Sequence, residues 1–368
     1  MGKFVNPICL ILVLGVCPSA QNQNKESPNA GAQQLARQAA AARDAGRIDE
    51  AVTLYRRGVA LKPSWAEGWW NLGTLEYDRD AFAPARDAFT HVVKLDPNNT
   101  PAWALRGLCE FELKEYRPSL DDMQRALRMG LDKAPPLAKV TRYHAALLLT
   151  RAAQFQNALQ LFSQLAVLGA DDRDTILGTG LAGLRLPLFP SEIAAGQQEL
   201  VYRVGHAIHE GGLRHENESR KELETLIAEN PRQPEVHNLL GQLLLLSDPD
   251  AALEQWKLEL TVSPNHTPAK LQIAYEYLKR GDPAAGMPYA RDAVSLEPES
   301  FVAHNALGRL LVASGDLKEG IAELEMAKKL APESPDTRIE LASAYAKAGR
   351  SQDAARERAE FLRLKNDH

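Results

Sequence analysis

Apolar positions along this chain recur at intervals of three and four, the spacing that keeps them on one side of a helix. The stretch 66–99 shows it best. Trp69, Leu72, Gly73 and Glu76 share one helical face, and Ala85, Ala88, Phe89 and Val92 share another. A turn around Asp78–Asp80 separates the two, and Pro97 closes the second. A pair of helices this short cannot bury its apolar sides alone, so the pattern demands neighbours of the same kind.

The rest of the chain supplies them at a fixed interval. Pro63 and Pro97 lie 34 residues apart, as do Ala51 and Ala85, and Gly73 and Gly107. In the second half, Pro264, Pro298 and Pro332 step by 34, and so do Gly281, Gly315 and Gly349. Independent landmarks that share a period mark tandem units. The first unit spans 32–65, with helices over Ala32–Asp44 and Asp49–Leu61 about a turn at Gly46. Units follow at 66–99 and 100–131, then, after an insertion over Lys133–Pro136, at 139–172. Five more run over 200–233, 234–266, 267–300, 301–334 and 335–368. The 234–266 unit is one residue short, at its turn Ser247–Asp250.

These residues resemble the tetratricopeptide repeat, whose first helix carries Trp, Leu-Gly and Tyr, and whose second carries Ala, an aromatic and a closing Pro. Trp69-Leu72-Gly73, Ala85-Phe89-Pro97, His304-Leu307-Gly308 and Ala327-Pro332 carry the match. Glu76 stands in place of the tyrosine, Ala39 and Ala342 in place of the glycine, and Gly320 in place of an alanine. The resemblance covers nearly everything after residue 31. It implies an all-α fold, a right-handed α-solenoid of about nine helix-turn-helix units, whose first helices line a concave surface.

The period fails over 173–199. Asp174–Leu184 reads as another first helix, but Leu186-Pro187-Leu188-Phe189-Pro190 cannot continue as a regular second one. The expectation is a degenerate half-repeat joining an N-terminal array (32–172) to a C-terminal one (200–368). Ahead of the arrays, 21–31 reads as a disordered lead-in rich in Asn, Gln, Ser and Gly. Residues 1–20 read as a signal peptide: Lys3, the short apolar run Ile8–Val16, and small residues at Ser19 and Ala20. Export to a periplasmic, cell-envelope or secreted location follows as the expectation. Cys17 is the position a lipid anchor would use, although Val16 is larger than the residue that usually precedes such a cysteine.

Composition narrows the function. The formal net charge is -5, with 45% hydrophobic and 25% charged residues, so no basic excess points to nucleic acid. Of three cysteines, Cys9 and Cys17 fall in the leader, which leaves Cys109 without an intramolecular disulfide partner. Gly178-Thr179-Gly180-Leu181-Ala182-Gly183 spells a dinucleotide fingerprint. A helix-start signal precedes it rather than the strand that chemistry requires, so a small-residue packing face is the expected role. His206, His209, Glu210 and His215 form the one histidine cluster, without an H-E-x-x-H, and Gly211-Gly212 would end the helix before His215. No nucleophile motif, phosphate loop or cysteine pair appears, and no cofactor or catalytic residue is expected.

The concave surface implied by the resemblance takes in Trp70, Thr74 and Tyr77, four and three residues apart on one helix. By the same offset it takes in Phe111, Tyr143, Asn238, Gln242, Tyr275, Asn305 and Arg309. Aromatic anchors with amides and a guanidinium suit a groove that accepts a protein or peptide segment. The expected function is a non-catalytic interaction scaffold. The alternatives are a metal-binding or hydrolase-accessory protein built on His206–His215, and a self-assembling structural factor.

Overall fold

A computed structural model describes residues 28–131 and 134–366, so the leader, Cys17 and most of the lead-in lie outside the described residues. Nineteen α-helices follow one another, with no strand among the described residues. The first four pairs are α1 (Pro28–Asp44) with α2 (Ile48–Leu61), α3 (Ala66–Asp78) with α4 (Phe82–Leu95), α5 (Thr100–Glu112) with α6 (Tyr116–Arg128), and α7 (Pro135–Arg151) with α8 (Phe155–Val167). Then come a lone α9 (Arg173–Gly183) and a pair α10 (Gln198–Gly212) and α11 (Glu216–Glu229). Four pairs complete the chain: α12 (Val236–Leu244) and α13 (Pro249–Val262), α14 (Thr267–Lys279) and α15 (Pro283–Leu296), α16 (Phe301–Ser314) and α17 (Leu317–Leu330), α18 (Pro335–Lys347) and α19 (Ser351–Asn366). Helices pack mainly on their neighbours in the chain, and first helices also reach the next first helix, as α5 does α7 and α14 does α16.

One packing device repeats through the array. A Cβ on Gly73 would lie 2.9 Å from the Phe89 ring, one on Gly107 2.9 Å from Met123, and one on Gly308 2.7 Å from Leu324. Each time the glycine of the first helix leaves room for a large side chain sixteen residues on. In the short unit the partner comes fifteen residues on: a Cβ on Gly241 would meet Trp256 at 2.5 Å. The missing turn residue is thus absorbed without losing the contact. Phe89, Met123, Trp256 and Leu324 are all essentially inaccessible to solvent, which places the core between the helices of each pair.

The turn inside every pair except α12–α13 uses a left-handed residue. Where the chain offers glycine, φ is +74° at Gly46 and Gly281 and +90° at Gly315. The equivalent positions Asp80, Lys114, Ala153 and Arg214 adopt φ of +58°, +61°, +57° and +65°, at about 1 kcal/mol of strain each.

Glu76, in the place of the repeat tyrosine, is 1% exposed and forms a salt bridge with Arg56 of the preceding unit. Two boundaries differ from the sequence reading. Helix α1 begins at Pro28, so it takes in four residues assigned to the disordered lead-in. Pro135 and Pro136 open α7 instead of interrupting the array. Proline is tolerated in a first helical turn, where the missing N–H has no intrahelical acceptor.

The described residues divide into two compact units, with the division between Gly205 and His206 inside α10. In the first, α9 is capped by Asp172, whose carboxylate accepts the Thr175 N–H at 3.0 Å. A Cβ on Gly180 would fall 1.9 Å from the Val201 carbonyl oxygen, and one on Gly205 2.0 Å from that of Ile176. The glycines at 178–183 therefore serve close packing of helices, and the whole run is buried inside α9. Between α9 and α10 the chain is irregular apart from single 3-10 turns at Pro190–Glu192 and Ala195–Gln197.

Candidate functional site

In the first unit, the side chains expected to line a groove are half-buried. Trp70 meets its own repeat's Phe89 edge-on at 5.7 Å between ring centres, and Tyr77 meets Phe82 at 5.7 Å. Thr74 turns its hydroxyl back to the Asn71 carbonyl at 3.0 Å. Burial pushes the Tyr77 and Tyr143 hydroxyls above the usual tyrosine range. Tyr143 packs at 5.2 Å against His144.

Phe111 is the residue around which a site assembles. Its ring lies 5.9 Å from Tyr116, 4.6 Å from His144 and 5.8 Å from Phe189. His144 donates its Nδ1–H to the Val140 carbonyl at 2.9 Å, and burial lowers its pKa, so a neutral ring faces Phe111. Phe189 belongs to the irregular segment after α9. It also packs on Tyr116 at 5.3 Å, with the Arg151 guanidinium 5.3 Å from its ring centre. Arg151 donates to the Pro187 carbonyl at 3.0 Å and to the Glu192 carboxylate at 2.8 Å. The same Glu192 oxygen accepts the Phe189 N–H at 2.8 Å.

In the second unit, three first helices present a connected row. The Tyr275 hydroxyl (α14) donates to the Val302 carbonyl at 3.4 Å, and the Arg309 guanidinium (α16) lies 5.6 Å from the Tyr275 ring centre. Arg309 Nε is 3.3 Å from Glu340 Oε1 on α18. Tyr275 and Arg309 are half-buried, and Gln242 on α12 is exposed.

Asn238 and Asn305 are not surface readers. They are 4% and 6% exposed. The Glu259 carboxylate accepts the backbone N–H of Glu235 and of Asn238 at 2.9 and 3.2 Å, anchoring the positive end of α12. Asn238 Nδ2 donates to Glu235 within that node. Asn305 Nδ2 donates to Thr337 of α18 at 3.3 Å. Both stand three residues before the packing glycine, where the neighbouring structure covers them. Gln242 and Arg309 stand one residue after it and stay accessible.

Around the histidines, Glu210 receives His215 Nδ1 at 2.6 Å and has His206 Nε2 at 3.6 Å. His209 is 7% exposed. Among the described residues no group of three or more His, Cys, Asp or Glu side chains is arranged to hold a metal ion.

A tetratricopeptide-repeat family model matches residues 36–100 and 271–335, one stretch in each unit. Those two stretches are tetratricopeptide repeats. The chain is 25% identical over 109 residues to human protein O-mannosyl-transferase TMTC3, covering 29% of this chain and 11% of the relative. It is 23% identical over 293 residues to the Arabidopsis thaliana CTR9 homolog, covering 77% of this chain and 24% of the relative. The repeat protein thus spans a quarter or less of the length of these relatives. Among solved structures, MamA from Desulfovibrio magneticus is 20% identical, with 45% of this chain and 97% of that one covered and a TM-score of 0.41. YrrB, described as a TPR protein with an unusual peptide-binding site, is 14% identical, with 45% and 87% covered and a TM-score of 0.40.

Proposed function

We propose that this repeat protein is a non-catalytic scaffold that binds a protein or peptide segment on the first-helix faces of its repeats. The observation that carries this reading is the row Tyr275–Arg309–Glu340 across α14, α16 and α18. An aromatic ring, a guanidinium and a carboxylate on adjacent parallel positions provide an apolar anchor flanked by both charges. Repeat packing holds them in place before a ligand arrives, so little ordering is required on binding. The N-terminal segment 1–20 supports export of the mature chain, with Gln21 near its start.

The test is affinity capture with the mature protein beside a Tyr275→Ala/Arg309→Ala variant, each checked for helicity by circular dichroism. Partners retained by the parent and reduced about tenfold or more by the variant are the expected outcome, the range of one hot-spot pair. Equal retention by both would move the interface off this face. Fractionation of the producing cells, with mass spectrometry of the N-terminus, checks export.

A further inference from the structure

The face that would receive a peptide in the first unit already holds a piece of the chain. The segment Leu186–Glu192 leaves α9, turns back, and lays Phe189 against Phe111 and Tyr116, while His144 packs on Phe111. Its contacts are those of a bound peptide rather than of a repeat helix. An extended residue, Phe189 with φ -88° and ψ 156°, sets an aromatic ring against Phe111 of α5 and Tyr116 of α6. Arg151, at the end of α7, reads the segment's backbone at Pro187 and its carboxylate at Glu192, and lies over the inserted ring. Two prolines keep the segment from forming a regular second helix; it is extended at Phe189 and turns over Pro190–Glu192. Arg151 and Glu192 are 40% and 39% exposed, and Ser191 and Pro187 face solvent, so the segment is seated at the surface and not built into a core.

We infer that Pro187–Glu192 is a tethered occupant of a peptide site formed by Phe111, Tyr116, His144 and Arg151. The site accepts, in trans, a segment that is extended at an aromatic residue and turns over the following proline to bring back, three residues after the aromatic, a carboxylate. This rests on the reading that first-helix faces take peptides, but it concerns a different face from the Tyr275–Arg309 row. The physical logic is competition. A tethered ligand acts at an effective concentration of roughly millimolar, so a free segment of equal intrinsic affinity binds weakly until the tethered one is loosened. A partner with further contacts overcomes this and displaces the segment.

The experiment uses the full chain and a fluorescein-labelled peptide of sequence LPLFPSE, read by fluorescence anisotropy. Phe189→Ala removes the inserted ring, and Glu192→Ala releases the Arg151 clamp while leaving the ring in place. A loss of folding in the first variant therefore does not decide the result. Both variants should bind the peptide about tenfold or more tightly than the unaltered protein. Adding Phe111→Ala to Glu192→Ala should abolish the gain, and a peptide with alanine for phenylalanine should not bind. Equal binding by all three proteins, or no binding by a variant whose circular dichroism matches the parent, would overturn the inference. Capture through Tyr275 and Arg309 is scored separately, so either result stands or falls without the other.

Discussion

Single residues show how far the repeat tolerates chemistry foreign to its pattern. Glu110 is 6% exposed, and one of its carboxylate oxygens has no hydrogen-bond partner. Burial, reinforced by the nearby Asp122 charge, pushes its pKa up to about 7 against the relief given by Arg106. A folded-state pKa above the unfolded value means that the folded protein holds this proton more tightly. The stability it contributes is full below about pH 4.5 and is lost as pH rises through about 7. Glu110→Gln keeps the shape and removes the charge. Urea unfolding should show little difference from the parent at pH 4.5 and a gain of about 2–3 kcal/mol at pH 8.5. A difference independent of pH would contradict this account. Glu76, one repeat earlier, is also buried and bridges to Arg56.

Between elements, contact distance governs which residues are interchangeable. At 178–183 the letters of a nucleotide motif serve a helix interface, because Gly180 and Gly205 bring α9 and the first half of α10 within backbone contact. Gly180→Ala would drive a methyl group into the Val201 carbonyl, which no side-chain rotation relieves. We expect a loss of about 3 kcal/mol or more in chemical denaturation, the upper range for overpacking. Gly196, whose Cβ would meet nothing within 4 Å, serves as the control and should tolerate alanine with little change. The irregular segment after α9 belongs to this scale too. Its prolines could be read as a break in the repeat from sequence, since they forbid a helix. That Phe189 then returns to Phe111 depends on a contact across 78 residues, which no local pattern encodes.

Across the whole molecule, the array behaves as a series of neighbour contacts inside each compact unit. Removal of α18 and α19 by ending the chain at residue 334 uncovers Ile321 and Leu324 within the second unit. Helicity by circular dichroism should fall in proportion to the residues removed, with the remaining repeats still folded, as expected for near-neighbour stabilisation. Collapse of the entire helical signal would show long-range cooperativity instead.

The helices, their pairing and the nine-unit count were legible from sequence because a 34-residue period repeats the same buried positions. Gly73, Gly107 and Gly308 each sit sixteen residues before the side chain they accommodate. Helical order depends on such short-range spacing, which the chain carries in linear form. Accessibility on the first-helix face was only partly legible. Asn238, Asn305 and Trp70 hold one repeat position and Gln242, Tyr275 and Arg309 another, one helical turn apart on the same side. Which of the two stays open is decided by the side chains of adjacent elements, such as Thr337 beside Asn305 and Glu340 beside Arg309. The residues gathered around Phe111 lie on three helices and an irregular segment, so their meeting is a property of the packed fold. Periodicity along the chain determines the repeats; proximity between them determines which face is open and which is already filled.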